Sequence, residues 1–338
     1  MSAAIRLLRL GTVPGWMSQA VYHALAETMH SDRPDTIVVC TPNNPYLCLG
    51  YFQHSGDVFD KTALQKAGIP VYKRRIGGGA TYLDKDQLFY QFIFNNRHVP
   101  VSPEKSYRHF LQVPLETLQH FGLESRLRAV NELEVNGRRI AGIGGGRIGE
   151  ASVVVGNFLF DFDYETMSRV WRAPCPGYRE IAREALRQRV YTLKDCAPQL
   201  QPDEVEAELI RRFSAHFNQP VVEGTLTPEE SQAIVRWRHK LTDLSETECE
   251  TSIHRPRPLK IAAGVFVHHG ACVLPGRKER YVSVLEQDGR IARIMAQDGL
   301  PRRLKEMENH PVPQAWAALE ALLVQSGIQV ESKTWPQN

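Results

Sequence analysis

The sequence predicts an α+β protein of two domains, and three observations lead to that prediction. At 338 residues the chain is long enough for about two compact domains and a sizeable core. Strand-like and amphipathic helical stretches are mixed through roughly the first 240 residues. A polar, proline-containing stretch at 243–259 (His254-Arg255-Pro256-Arg257-Pro258) then interrupts the pattern, and strands resume with a single helix.

Taken in order, residues 14–30 read as a helix with Met17, Ala20, Val21, Ala24 and Leu25 on one face. Asp35 to Cys40 and Leu47 to Phe52 read as strands, separated by the turn Thr41-Pro42-Asn43-Asn44-Pro45. Val58 to Ala67 suggests a short helix closed by Gly68. Val71-Tyr72 leads a strand into Lys73-Arg74-Arg75-Ile76-Gly77-Gly78-Gly79, and Leu88 to Asn95 is the strand that follows. Ser102 to His120 is helical, with a break or kink expected at Pro114. Glu132 to Val135 and Arg138 to Ile140 form a hairpin across Asn136-Gly137. A second glycine cluster follows (Gly142, Gly144, Gly145, Gly146), then strand-like Val153 to Val155 and Phe158 to Phe160 on either side of Gly156. From Pro202, Val205, Leu209, Ile210, Phe213 and Phe217 mark an amphipathic helix, and Thr227-Pro228-Glu229-Glu230 has the form of a capping box. Beyond the interruption, Lys260 to Phe266, Tyr281 to Leu285 and Arg290 to Met295 read as strands, Asp288-Gly289 as a turn and Pro313 to Val324 as a helix. The domains expected are 1–245, a linker at 246–257 and a small α+β module at 258–338.

Composition narrows the function. A net charge of +3 is too mild to imply nucleic-acid binding, and no apolar run approaches the roughly 20 residues of a membrane span. The arginine-interrupted N-terminal stretch does not read as a signal peptide. The six cysteines have no close metal-ligand spacing and fit a reduced, cytoplasmic protein.

Residues 73–79 carry the chemistry. Three cations run across one isoleucine into three glycines. Glycine lets a ligand approach the backbone, successive N–H groups can form an anion-binding concavity, and guanidiniums suit phosphate or carboxylate oxygens. A hairpin turn with solvated charges is the plain alternative.

These pieces, in this order, resemble the lipoate–protein ligase and octanoyltransferase family, related to the biotin–protein ligases, over most of residues 1–240. Leu49-Gly50-Tyr51-Phe52-Gln53 is similar to its strand ending in Gly-x-x-Gln. Arg74, Gly77-Gly78-Gly79-Ala80 and Asp84 resemble its Arg-Arg-x-x-Gly-Gly-Gly loop, with Lys73 in place of the first arginine. Gly137-Arg138-Arg139-Ile140-Ala141-Gly142 resembles Gly-x-Lys-Ile-x-Gly, which sets Arg139 where the family has its lysine. Arg189-Val190-Tyr191-Thr192-Leu193 resembles a further family segment, and the module from about 258 is similar to the accessory domain of two-domain ligases. The chain departs from the pattern at Leu83 (family His), Glu132 (family Asp), Val155 (family His) and Arg139.

The resemblance implies a biotin/lipoate-ligase-like mixed sheet with flanking helices and a small accessory domain. It implies an enzyme that activates lipoate or octanoate with ATP, as its Mg²⁺ complex, to the acyl-adenylate. The acyl group would then pass to a lysine of a lipoyl-domain or glycine-cleavage-H-like carrier protein. Arg139 would be the catalytic cation. Arg74, Gly77, Gly78, Gly79, Ala80, Tyr82, Asp84, Asn131 and Gly142 would bind substrate and ATP, and no residue is assigned to a metal. Arg74 and Arg139 are expected to converge on the activated acyl group. Phe52, Tyr82, Phe89 and Phe92 are candidates for an acyl tunnel, or plain core. A second implied reading is octanoyl or lipoyl transfer through a thioester on Cys175, in Pro174-Cys175-Pro176-Gly177. A third is a non-catalytic binder of lipoyl carriers.

Overall fold

The computed structural model describes residues 4–244, 258–276 and 278–331. In chain order these form β1 (Ile5–Val13), α1 (Gly15–Glu27), β2 (Thr36–Pro42), β3 (Tyr46–Leu49), α2 (Ser55–Val58), α3 (Lys61–Ala67), β4 (Val71–Lys73) and β5 (Thr81–Leu83). Next come β6 (Gln87–Asn95), α4 (Pro103–His120), β7 (Ser125–Arg128), β8 (Glu132–Val135), β9 (Arg138–Ile148) and β10 (Ala151–Leu159). The helices α5 (Tyr164–Val170), α6 (Pro176–Arg189), α7 (Leu193–Cys196) and α8 (Pro202–Phe217) precede β11 (Val221–Glu223) and α9 (Pro228–Thr242). The remainder is β12 (Leu259–Ala262), β13 (Val265–Leu274), β14 (Lys278–Gln287), β15 (Arg290–Ala296), α10 (Val312–Gln325) and β16 (Gln329–Val330).

These elements form two compact units. The first takes in residues 4–54, 68–163 and 191–244. Its main sheet runs β11-β1-β2-β6-β10-β9-β8-β7, and a smaller one runs β4-β3-β5. β1 pairs in parallel with β2 and β11, whereas the β2–β6–β10–β9–β8–β7 half is antiparallel. Because successive side chains on a strand point to opposite faces, each face of the sheet feeds its own core. Val38, Phe89, Ile93, Val153 and Val155 pack with α1 and with Ala233, Ile234 and Trp237 of α9. Leu88, Tyr90, Phe92, Val154 and Phe158 pack on the other side with Phe110 of α4 and Leu209 and Phe213 of α8. A buried fork fixes β1 to α9: Arg6 donates to both carboxylate oxygens of Glu230, which also closes the capping box on Thr227.

The second unit takes in residues 55–67, 164–190 and the described residues from 258 on. Its sheet runs β12-β13-β14-β15, with β16 beside β13. Val282, Val284, Ile291 and Ile294 face Trp316, Leu319 and Leu323 of α10. Ser283, on the opposite face, lies under the start of α6.

Several expectations change. The N-terminal Leu-Arg stretch is the strand β1, which sequence inspection left unassigned. The strand expected through Phe52 stops at Leu49, and the helix expected over Val58 to Ala67 is two short helices. α4 runs unbroken through Pro114, which sits in the buried face beside Phe110 and Val113 and gives up one backbone bond where packing holds the helix. β9 continues through the second glycine cluster, and β10 is one strand with the Tyr90 ring lying against Gly156. The strand expected over Lys260 to Phe266 is a hairpin between β12 and β13. Both Asn136-Gly137 and Asp288-Gly289 have positive φ at both residues, as a two-residue hairpin turn needs. The linker expected at 246–257 lies outside the described residues. Among the described residues, no helix is long and apolar enough to cross a membrane.

Candidate functional site

The glycine loop between β4 and β5 lies against two bare pieces of backbone. On one side is Gly50, where a Cβ would overlap Gly78 O. On the other is β9: Gly77 N–H donates to Gly145 O at 3.1 Å, and a Cβ on Gly144 would stand 2.8 Å from Gly77 O. Gly78 has φ +114°, a conformation side-chain-bearing residues rarely adopt. The loop thus takes its shape from glycines on three segments.

Arg74 holds that shape from within. Its Nε donates to Gly77 O (3.2 Å), Nη2 to Gly77 O (3.2 Å) and Gly79 O (2.7 Å), and Nη1 to Cys48 O (3.4 Å). The residue is 7% exposed. Arg74 was expected to contact phosphate or acyl oxygens; in this structure its guanidinium is turned into the loop and serves backbone carbonyls. With the Gly77 N–H spent on Gly145 O, Gly78 is the exposed glycine of the three.

Arg139 reaches the same side of the sheet by a bulge. On a regular strand Arg139 and Gly142, three residues apart, would point to opposite faces. Leu133 pairs with Ala141 but Glu134 pairs with Arg139, so Ile140 is inserted and the alternation flips. Ala141 therefore faces the α4–α8 core, whereas Arg139, Gly142, Gly144 and Gly146 share the face on which the loop sits. Arg138 is sent to the other side, over the Tyr191 ring at 4.2 Å. Arg139 Nε lies 3.8 Å from the buried carboxylate of Glu132, which stands where the family has Asp. Arg139 and the loop contact at Gly144 are five residues apart along β9, roughly 15 Å at strand rise. The expected convergence of two guanidiniums is thus corrected. Loop amides and Arg139 instead mark the two ends of a glycine-floored strip.

Other named residues border this strip. Asn131, at the β7–β8 turn, donates to Ile143 O at 3.4 Å. Ala80 and Tyr82 leave the loop into β5, and the Tyr82 ring meets Phe162 edge-on at 6.1 Å. Asp84 accepts from Asp86 N–H; burial, then the neighbouring Asp86, raises its carboxyl above the usual range despite that bond. Of the aromatic tunnel candidates, Phe92 stacks on Phe110 on the opposite face and Phe52 is 70% exposed, so neither lines a tunnel with Phe89. Sequence reasoning missed Asn157. It pairs with Gly142 across β10, its Oδ1 is 2.8 Å from where a Gly142 Cβ would stand, and its amide donates to Gln87 Oε1. An amide side chain in a mostly apolar strand was the available signal.

Cys175 belongs to the second unit. It is the N-cap residue of α6, 6% exposed, with Sγ 3.5 Å from Ser283 Oγ. It borders an open cavity of about 880 Å³ with Arg169, Arg179 and Arg183. Arg179 donates to Ser168 O and Arg169 O, and Arg183 lies near Glu165. Among the described residues, no group of three or more His, Cys, Asp or Glu side chains could hold a metal ion.

The site is thus a glycine loop laid on a glycine strand, on a mixed sheet covered on both faces. The model of the lipoyl protein ligase A/B catalytic domain matches residues 14–214, more than half of the chain, and the chain belongs to that family. It is 26% identical over 238 residues to lipoate-protein ligase A subunit 1 of Thermoplasma acidophilum, covering 67% of this chain and 88% of the relative. It is also 26% identical over 254 residues to the octanoyltransferase LipM of Kyrpidia tusciae, covering 67% and 92%. A solved bi-partite lipoate protein ligase from T. acidophilum, described with its E2 lipoyl domain, superposes with TM-score 0.67 at 23% identity, covering 74% of this chain and 99% of that one. A lipoate-protein ligase A bound with ATP superposes with TM-score 0.60 at 24% identity, covering 70% and 95%. At those identities the two structures establish the fold.

Proposed function

We propose that the protein is an ATP-dependent lipoate–protein ligase acting on lipoate or octanoate. The observation that carries this reading is the bulge at Ile140, which turns Arg139 onto the glycine face on which the Gly77–Gly79 loop sits. The arrangement suits an extended anionic species lying along β9. The acyl carboxylate attacks the α-phosphorus of ATP, the bond to the bridging oxygen breaks, and pyrophosphate leaves. The carrier's lysine amine then attacks the acyl carbonyl, AMP departs with the shared oxygen, and the amine loses a proton. Amides at one end and a guanidinium at the other stabilise charge on phosphate and carbonyl oxygens. Arg139 supplies charge and fork geometry and cannot act as a base, so the amine's proton goes elsewhere. Mg²⁺ would arrive on the nucleotide and neutralise phosphate charge. Ala80, Tyr82, Asp84, Asn131 and Gly142 are proposed to line the substrate strip. The acceptor is proposed to be a lipoyl domain or an H-protein-like carrier, with the module from 258 on assisting adenylation.

The LipM relatives favour a second reading, acyl transfer through Cys175. Against it stands the burial of that thiol, packed against Ser283. Pyrophosphate release with ATP and lipoate or octanoate, alongside intact mass of the protein incubated with octanoyl carrier, separates the readings. Acid-dependent pyrophosphate release without an adduct on Cys175 supports the ligase. An acyl adduct on Cys175 formed without ATP replaces it with the transferase. Carrier binding with neither signal replaces both with a non-catalytic binder.

A further inference from the structure

We propose that His23 is a positioning residue that sets the glycine loop from behind, through the backbone of Arg75. This rests on the loop's proposed role in acyl activation. Arg75 N–H donates to His23 Nε2 at 2.9 Å. That bond requires the proton on Nδ1, which faces Gln19 O at 2.7 Å, so each ring nitrogen has one fixed duty. The ring lies between Tyr22 (4.1 Å) and Trp237 (4.4 Å), each inclined by 28°. His23 is fully buried, and burial holds its pKa down to about 3, so the acceptor stays available at working pH.

The same helix holds the other half of the loop. Tyr22 OH and Cys48 Sγ both donate to Gln19 Oε1, and Arg74 Nη1 reaches Cys48 Sγ at 3.4 Å. Gln19 Nε2 donates to Tyr46 OH (2.7 Å), Tyr46 OH meets Ser18 Oγ (2.7 Å), and Ser18 Oγ donates to Gly15 O (2.7 Å). Each group in the series has a single compatible direction. A hydrogen-bond cluster of this size on an apolar helix face is costly unless every member is paired. α1 therefore reaches the loop at two successive residues, at the amide of Arg75 and, through Cys48, at the guanidinium of Arg74. The loop amides are oriented before a ligand arrives.

His23→Phe keeps the ring and removes the acceptor; His23→Gln restores an acceptor. The Phe variant is expected to fold and to raise hydrogen–deuterium exchange selectively across residues 74–80. It is expected to lower kcat/KM for pyrophosphate release by about tenfold or more, mainly through KM, with the Gln variant within about threefold of the parent. Should His23→Phe not fold, His23→Leu, which also lacks the acceptor, is expected to give the same localised exchange. Exchange that rises uniformly, or an unchanged loop in either variant, overturns the proposal. Because the exchange measurement needs no turnover, it stands or falls separately from the ligase reading.

Discussion

The glycine strip of the first unit and the Cys175 cavity of the second were both marked by short motifs in the sequence, yet they are built in opposite ways. In the strip, backbone meets backbone with no side chain between, and a bulge brings a cation onto that face. Around Cys175 the arginines serve helix-end carbonyls or a carboxylate, and the thiol packs on a serine. The lesson is that composition marks where chemistry is feasible, and the pairing of each polar group decides where it is free to happen.

Substitutions at three positions and a titration sharpen that contrast. Arg139→Met is expected to lower acyl-adenylate formation by about 100-fold or more, the effect of removing one charge-stabilising donor, whereas Arg139→Lys is expected to retain most activity. Thermal melts beside the assay separate this from the stability effect of losing the Arg139–Glu132 ion pair. Gly50→Ala forces Gly78 O away and is expected to cost about 100-fold in rate, since displacing a catalytic loop by about an ångström has that effect. It also lowers the melting temperature.

The titration compares two histidines, one in each unit. Burial, with Arg74, Arg75 and Lys240 adding to it, lowers His23 to about 3; burial, then Arg172 and His268, lowers His269 to about 4. Unfolding returns each to about 6.5. The unfolded chain therefore binds more protons between those values, so stability is full above about pH 6.5 and falls as pH drops through the window. His23 contributes a slope of at most about 1.4 kcal/mol per pH unit. Denaturant melts of His23→Gln between pH 4 and 7 should show a flatter dependence than the parent; an equal slope would show that the ring is not held neutral. Cys175→Ser is the smallest effect: acyl-adenylate formation is expected to stay within about threefold, measured by pyrophosphate release.

Much of this was legible in the sequence. Both hairpin turns, the helix at 202–217 and the capping box at Thr227 that opens α9 follow from local signals that the fold respects. The glycine loop and its neighbours were located by motif. What escaped depended on non-local packing. The Ile140 bulge is a mismatch between two strands and is invisible in either one alone. The partners of Arg74 are carbonyls of its own loop and of β3, which the motif cannot distinguish from a ligand's oxygens. The helix α6 was legible in principle, since Tyr178, Ile181, Ala182, Ala185 and Leu186 have helical spacing and are buried. β1 was missed because its arginines, one of them in the fork to Glu230, hide a buried strand as a solvated one.

The most direct test of the account is lipoate- or octanoate-dependent exchange of labelled pyrophosphate into ATP, measured side by side for the parent, Arg139→Met and Cys175→Ser. Exchange in the parent and in Cys175→Ser but not in Arg139→Met is the predicted result. Exchange that survives loss of the Arg139 cation, or that disappears with the Cys175 thiol, would contradict it.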